Sequence, residues 1–472
     1  MPSSPSASSP PSRVRGAIAE LRATGLLALP VVLGQLSAMG MNVVDTLLAG
    51  RHAALTLAAV AVGSAVWSLV MLTMIGVLMA LPPSVSHLVG GNRRAEIGPL
   101  FRQALWLALV LGIALFWLAR GSGWLLVAVG IAPEVQPGAV AFRRGVAWGA
   151  PALALYFCCR YLSEGLHWTV PTMVFGLSGL VLLVPLGYWL MFGGLGLPGR
   201  GAAGLGEATA IVLWLQVLGF LLYLAHSPRF ADLGLFRTLE PPRWAPIAEL
   251  LRIGVPMGVS VMMEGGLFVA TALVIGTMGA SAVAAHQIAM NLAAVAFMMP
   301  LGVAMATTVR VGHAVGRDDR PGVRRAAAAG HAITLVTQGA SALVLVLLAV
   351  PIARLYTSDP EVVALAASLM GLAALFQFSD GIQVASAGAL RGLKDTRVPM
   401  LITILAYWGI GMPSGWWLGV EQGLGARGMW WGLLAGLSVA ALLLSVRFLR
   451  LTRAVPPSGS AEPALATRGG PH

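Results

Sequence analysis

GVLMALPPSVSHLVGGNRR, residues 76–94, returns as GVAMATTVRVGHAVGRDDR at 302–320, 226 positions later. Gly76, Val77, Met79, Ala80, His87, Gly90 and Arg94 stand opposite Gly302, Val303, Met305, Ala306, His313, Gly316 and Arg320 with no slip in register. Upstream, the same offset joins Pro30, Gly50, Ala54, Ala58 and Ala59 to Pro256, Gly276, Ala280, Ala284 and Ala285. A chain rich in Gly and Ala gives chance matches at many offsets, but it does not hold the sparse Pro, His and Arg in one register. The segment is a duplication, and a duplicated membrane unit predicts two lobes with a site between them.

Hydrophobic residues make up 57% of the 472 and charged residues only 10%, a balance that a soluble domain could not disperse over its surface. Crossing a hydrocarbon core of about 30 Å takes about 20 helical residues. Stretches of that length run near 25–49, 57–82, 98–120, 138–158, 170–193 and 203–225, then near 253–277, 284–308, 324–351, 362–389, 399–419 and 427–447. The expected fold is an all-α integral membrane protein whose twelve transmembrane helices form two six-helix bundles. An even number of spans per half gives both halves the same orientation, so the pseudo-two-fold axis lies along the membrane normal. The expected organisation is a disordered tail over 1–16, a first lobe over 17–225, a cytoplasmic linker over 226–249, a second lobe over 250–453 and a disordered tail over 454–472. The tails are rich in Pro, Ser and Gly and lack an apolar pattern.

Net charge +12 invites a nucleic-acid reading, yet the basic residues sit between spans. With the N-terminus inside, 23 of the 30 Lys and Arg fall on cytoplasmic segments and 7 on the other face, so both termini are expected in the cytoplasm and no nucleic-acid partner is expected. The two cysteines, Cys158 and Cys159, are adjacent and suit neither a disulfide nor a metal pair.

Acidic residues inside spans carry the chemistry, because burying a charge at the bilayer centre costs at least about 2.5 to 3.5 kcal/mol on insertion scales. Three qualify: Asp45 in the first helix, Glu264 in the seventh and Asp380 in the tenth. Glu264 follows Arg252 by 12 residues and Asp380 precedes Arg391 by 11, which places both about 16 to 18 Å from the cytoplasmic face at 1.5 Å per residue. None of the three has its like at the repeat offset. In the first helix Gln35, Ala38, Asn42 and Asp45 form a stripe expected to face a water-filled cavity. Two carboxylates close together in a poorly solvated place can share a proton, take one Na+, or accept an organic cation. Phe268, one turn from Glu264, and Phe376 and Phe378, beside Asp380, are candidate cation-π partners. Competition for the same acids would give exchange.

The remaining polar residues have blander readings. Glu207 is expected as a first-turn acid of the sixth helix, Glu164 as the structural partner of Arg160, and His87 and His313 as packing residues in both lobes. His286, Gln287 and Asn291 are candidates for the cavity wall, and Met262, Met263, Met290, Met298 and Met299 are core filling that also suits a pliable pocket. No HExxH, GxSxG or DDxxD pattern occurs, so an enzyme is not expected.

At these residues the chain resembles the multidrug and toxic compound extrusion (MATE) transporters, and their NorM branch in particular. The matching segments are Pro30 through Asn42-Val43-Val44-Asp45-Thr46 to Gly50, Ala284-Ala285-His286-Gln287-Ile288-Ala289, and Gly388-Ala389-Leu390-Arg391-Gly392 with Lys394-Asp395-Thr396. The resemblance covers about residues 20 to 452. The resemblance implies a V-shaped pair of bundles, alternating access, and export of cationic amphipathic compounds driven by Na+ or H+, with no other cofactor. It matches Glu264 and Asp380 to the second-lobe acids linked to cation coupling, with Na+ one possible occupant, and Asp45 to a first-lobe acid linked to protonation in another branch. Glu207 departs from the apolar residue expected there. The implied setting is the bacterial inner membrane, with the lipid bilayer and small molecules as partners of a monomer. A lipid-linked-sugar flippase of the wider superfamily and a major facilitator transporter are the rival readings; an acidic cavity and twelve spans argue against the former.

Overall fold

A computed structural model describes residues 13–453 apart from 129, 195 and 239, so the two expected tails lie outside the described residues except for 13–16. The chain is helical almost throughout. The first half comprises α1 (Arg13–His52), α2 (Ala54–Leu78), α3 (Leu81–Gly90), α4 (Ile97–Gly121), α5 (Gly123–Ala128), α6 (Gln136–Ala147), α7 (Ala150–Gly165), α8 (Val170–Phe192) and α9 (Gly201–His226). The second comprises α10 (Trp244–Gly276), α11 (Ala280–Gly316), α12 (Arg320–Leu347), α13 (Ala349–Tyr356), α14 (Pro360–Gly392), α15 (Arg397–Ile404), α16 (Met412–Trp416) and α17 (Gly425–Arg453). A two-residue antiparallel pairing joins Gly193–Gly194 to Leu197–Pro198.

Among the described residues, eleven helical stretches are long and apolar enough to cross a membrane. The expected fourth span, 138–158, falls on α6 and α7, which meet at Trp148 and Gly149. Pro151 explains the break: it has no N–H to donate one turn back, and its ring excludes a straight continuation from α6. Two boundaries differ from the expected ones. Helix α1 begins at Arg13, inside the expected tail, and α10 begins at Trp244, inside the expected linker.

The segment between α9 and α10 is bound along α4. Arg102 Nη1 donates to the Gly234 carbonyl at 2.8 Å and its Nη2 to Glu240, Gln103 exchanges hydrogen bonds with the Pro241 carbonyl (3.1 Å) and the Arg243 N–H (2.6 Å), and Trp106 Nε1 donates to the Glu240 carbonyl at 2.9 Å.

Where the halves meet, the repeated residues make the contact. A Cβ on Gly76 would lie 2.3 Å from the Cα of Gly258, and one on Gly302 would lie 2.4 Å from Val32 Cγ2. One on Gly90 would lie 2.2 Å from the His313 carbonyl oxygen, and one on Gly316 would lie 2.2 Å from the His87 carbonyl oxygen. Only glycine permits backbones this close. The repeated histidines also cross the seam: His87 Nε2 is 2.7 Å from the Gly392 carbonyl oxygen, and His313 Nδ1 is 3.2 Å from Nε2 of His167 in the turn between α7 and α8. Arg310 of α11 pairs with Glu20 of α1 at the same end. These approaches run from mid-span to the ends carrying Gly90 and Gly316, which we call the closed face. Past it, Asn92 and Asp318, again 226 apart, turn the chain with φ of 56° and 55°.

Candidate functional site

Between the halves lies a cavity of about 410 Å³, walled by α1, α2 and α7 on one side and by α10, α11, α14 and α15 on the other. Glu264 enters it from α10, where Gly265 and Gly266 keep the neighbouring surface low enough for Leu72 and Trp408 to approach. Asp380 enters from α14; it is 3% exposed, and its Oδ1 is buried without a hydrogen-bond partner. Tyr407 lies in a π-helical segment, Leu405–Gly411, and its hydroxyl is likewise buried and unpartnered. Glu264, Asp380 and Tyr407 are within electrostatic reach of one another. Phe268 and Phe376 line the same space, edge to face with centroids 6.1 Å apart. Gln35 lines it from α1.

Other expected site residues lie elsewhere. Asp45 is 7% exposed, packed inside the first half with Oδ1 unpartnered, and does not line the cavity. Ten residues at 100° each put it about 80° round α1 from Gln35, so the stripe turns away from the cleft. Ala38 and Asn42 are exposed. Gln287 donates to Asn291 at 3.1 Å, and both are exposed on α11 rather than lining the cavity. Phe378 is 37% exposed and faces α12 beside Gly339, because two residues along a helix from Phe376 is a turn of about 200°. His286 is buried, accepting a hydrogen bond from Trp430 Nε1 at 3.1 Å. Glu207 is not in the first turn of α9; it pairs with Arg200 at 2.5 Å. Glu164 pairs with Arg160 at 2.7 Å as expected, with Thr172 donating to it at 3.0 Å. No cluster of three His, Cys, Asp or Glu side chains suited to a metal occurs among the described residues.

Arg160 and Arg391 also line the cavity, which is therefore of mixed charge rather than acidic. Their positions near helix ends made them read as topology markers. The hint available in the sequence was Arg391's place on α14, three turns from Asp380 on one span.

Two helical halves meeting at one face around a water-accessible, charged cavity define a polytopic membrane transporter of the two-lobed kind. The MatE family model matches residues 30–189 and again 256–417, and the two matches begin 226 residues apart. The chain belongs to the MatE family. It is 56% identical over 445 residues to the "Probable multidrug resistance protein NorM" of Xanthomonas campestris pv. campestris, covering 94% of this chain and 97% of that protein. It is 42% identical over 443 residues to the "Multidrug resistance protein PmpM" of Pseudomonas aeruginosa, covering 92% of each. In fold it is similar to the eukaryotic MATE transporter AtDTX14 (TM-score 0.84, 20% identity, 93% of this chain and 99% of that one). It is also similar to an outward-facing multidrug resistance MATE transporter of the MOP superfamily (TM-score 0.83, 20% identity, 92% of this chain and 96% of that one).

Proposed function

We propose that this chain is a multidrug efflux antiporter that exports cationic amphipathic compounds by alternating access in exchange for H+ or Na+. The observation that carries the reading is the acid pair: Glu264 and Asp380 from two helices converge on one cavity between the halves, and an Asp380 oxygen is left without a protein partner. Two carboxylates so placed are best neutralised by an incoming cation, whether the coupling ion or the substrate's charged group. One excludes the other, and exclusion is the basis of exchange. The hydroxyl of Tyr407 and the amide oxygen of Gln383, both unpartnered, are further oxygen donors for a hard cation. Asp45 is a separate ionisable site internal to the first half, suited to a proton more than to a bulky ligand.

Basic residues gather toward the closed face, so we place that face and both termini in the cytoplasm of a bacterial inner membrane. The lobes, 17–225 and 250–453, rock as units about the glycine seam, with the intervening segment carried on α4. The protein acts as a monomer on small molecules from or through the bilayer, with no nucleic acid and no enzymatic step.

Glu264→Gln and Asp380→Asn, correctly inserted in proteoliposomes, are expected to lose gradient-driven export of a cationic dye. Export at the wild-type rate, with an H+ or a Na+ gradient imposed singly, would show the assignment to be wrong, and the two gradients identify the ion.

A further inference from the structure

Helices α12 and α14 meet through polar side chains for which the cavity does not account. The two run antiparallel, and their contacts step toward the closed face. Gln338 Nε2 donates to the Gln377 carbonyl at 3.3 Å, a Cβ on Gly381 would lie 2.8 Å from Thr334 Cγ2, and His331 Nε2 is 2.9 Å from Ser386 Oγ. Asp380 stands near the start of this row, and Ser386 is six residues, about 9 Å, nearer the closed face. Thr334, Gln338 and Gln377 are each 1% exposed. Yet Thr334 Oγ1, Gln338 Oε1, both side-chain amide atoms of Gln377 and Asp380 Oδ1 have no hydrogen-bond partner in the protein.

Packing alone does not call for these residues. At the repeat offset, His331, Thr334, Gln338, Gln377 and Asp380 stand where the first half has Leu105, Ala108, Gly112, Pro151 and Ala154. There α4 meets α7 through apolar groups: a Cβ on Gly112 would lie 2.6 Å from the Pro151 Cα and 3.2 Å from the Ala154 Cβ. The half that holds Asp380 has thus exchanged an apolar contact for a row of donors and acceptors. Buried polar atoms without partners are costly, and water bonded to several of them relieves the cost.

The row has a chemical end. His331 Nδ1 is 2.8 Å from the Ala327 carbonyl, which only accepts, so the neutral ring carries its proton on Nδ1 and a lone pair on Nε2. Ser386 therefore donates to Nε2, and Ser445, 2.9 Å from Ser386, donates to that hydroxyl in turn. Toward the closed face stands a buried apolar cluster that includes Val323, Leu390 and Phe448. It also takes in Val311 and Ala314, close to Gly312 and Gly316 at the seam.

We propose that α12 and α14 enclose a proton relay, in which water held by Gln377, Gln338 and Thr334 carries the proton of Asp380 to Nε2 of His331 as a cationic ligand settles on the carboxylate. The Asp380 O–H bond breaks and each water passes one proton on. Ser386 gives its hydroxyl proton to Nε2 and takes one from the last water, which leaves a carboxylate and an imidazolium. The proton thus travels through the half itself and not through the ligand-filled cavity. While the face is closed the apolar cluster stops it at His331, so the relay does not short-circuit the membrane; once the seam parts, the imidazolium gives the proton up on that side. This rests on the exchange reading above and commits it to H+.

The test separates proton movement from ligand movement in proteoliposomes holding the full chain. A xanthylium dye ester, a permanent monocation with no proton of its own, is followed in two modes: export driven by a pH gradient, and exchange of dye for dye with no gradient, which requires no proton transfer. His331→Gln keeps a hydrogen-bonding side chain but cannot accept a proton. It is expected to slow gradient-driven export about 10²-fold, the low end of what a positioned proton acceptor contributes, and to leave dye-for-dye exchange at the wild-type rate. Thr334→Val, close in shape, should split the two modes in the same direction. Wild-type export in both variants overturns the relay, and so does a parallel fall in both modes, which marks residues that only pack. If His331→Gln fails to fold, Thr334→Val decides. Dye exchange by wild type that does not respond to a pH gradient overturns the relay and leaves export standing with Na+ as the counter-ion. Failure of wild type in both modes removes the export reading and the relay together.

Discussion

Replacing Gly316 by alanine should open the closed face. The added Cβ would sit 2.2 Å from the His87 carbonyl oxygen, 2.9 Å from the Gly91 nitrogen and 3.0 Å from the Gly90 Cα. All three are backbone atoms, so no rotamer change relieves the clash, and the helices must part by about 1 Å to reach ordinary van der Waals separation. Overpacking of this kind costs about 1 to 3 kcal/mol. The cost falls on the closed arrangement alone, because once the faces part the methyl group meets nothing. The equilibrium between closed and separated faces should therefore shift about 5- to 150-fold. Ser86 reports on it: it is fully buried at the seam, and a Cβ on Gly312 would lie 2.1 Å from its hydroxyl. In a background with Cys158 and Cys159 replaced by serine, Ser86→Cys should react with a maleimide slowly, and faster by at least fivefold once Gly316→Ala is added. Equal rates in two well-folded, monodisperse proteins would refute the claim that the glycines set the seam.

Two more outcomes follow from the pairs around that seam. Glu164→Gln leaves the Arg160 charge buried with only amide partners, and is expected to lower stability by about 3 to 5 kcal/mol in thermal or denaturant unfolding; a loss below about 1 kcal/mol would mean the pair is solvated. The His167 imidazole is pushed down to about 3, chiefly by burial and further by His313, Arg310 and Arg317 around it. A pKa below the ordinary value of about 6.5 means the closed contact is at full strength above that pH and weakens as pH falls through the window down to about 3, by at most about 1.4 kcal/mol per unit. Labelling of Ser86→Cys, normalised at each pH to a free thiol, should accelerate below about pH 6.5, and His167→Asn should flatten the profile.

The duplication and the spans were legible because they depend on local composition and spacing, which the fold keeps. Glu264 and Asp380 were legible for a similar reason: a charge in an apolar run announces its depth. Azimuth was not. Asp45 and Phe378 lie on the expected helices but point to other faces, since direction is set by which side of α1 or α14 the neighbouring helices cover. The arginines were missed for a third reason. Arg160 and Arg391 sit near helix ends, where basic residues usually mark topology, and only the lining of the cavity, which draws on α7 from one half and α14 from the other, shows that it reaches down to them. The break in the fourth span, by contrast, had its cause in plain sight at Pro151.

Reciprocity at the seam has a consequence for how the chain tolerates change. Gly90 packs on His313 while Gly316 packs on His87, so each copy of the unit offers the other the same patch, as in an isologous homodimer whose two subunits happen to be joined. A change in one copy disturbs one of two equivalent contacts. Gly90→Ala and Gly316→Ala should thus act alike, and once either has parted the backbones the other has less left to disturb, so the pair should fall short of the sum. The covalent joint lets the copies drift apart in everything but this patch, and the unduplicated acids, Asp45 in the first half and Glu264 and Asp380 in the second, lie in the territory left free to drift.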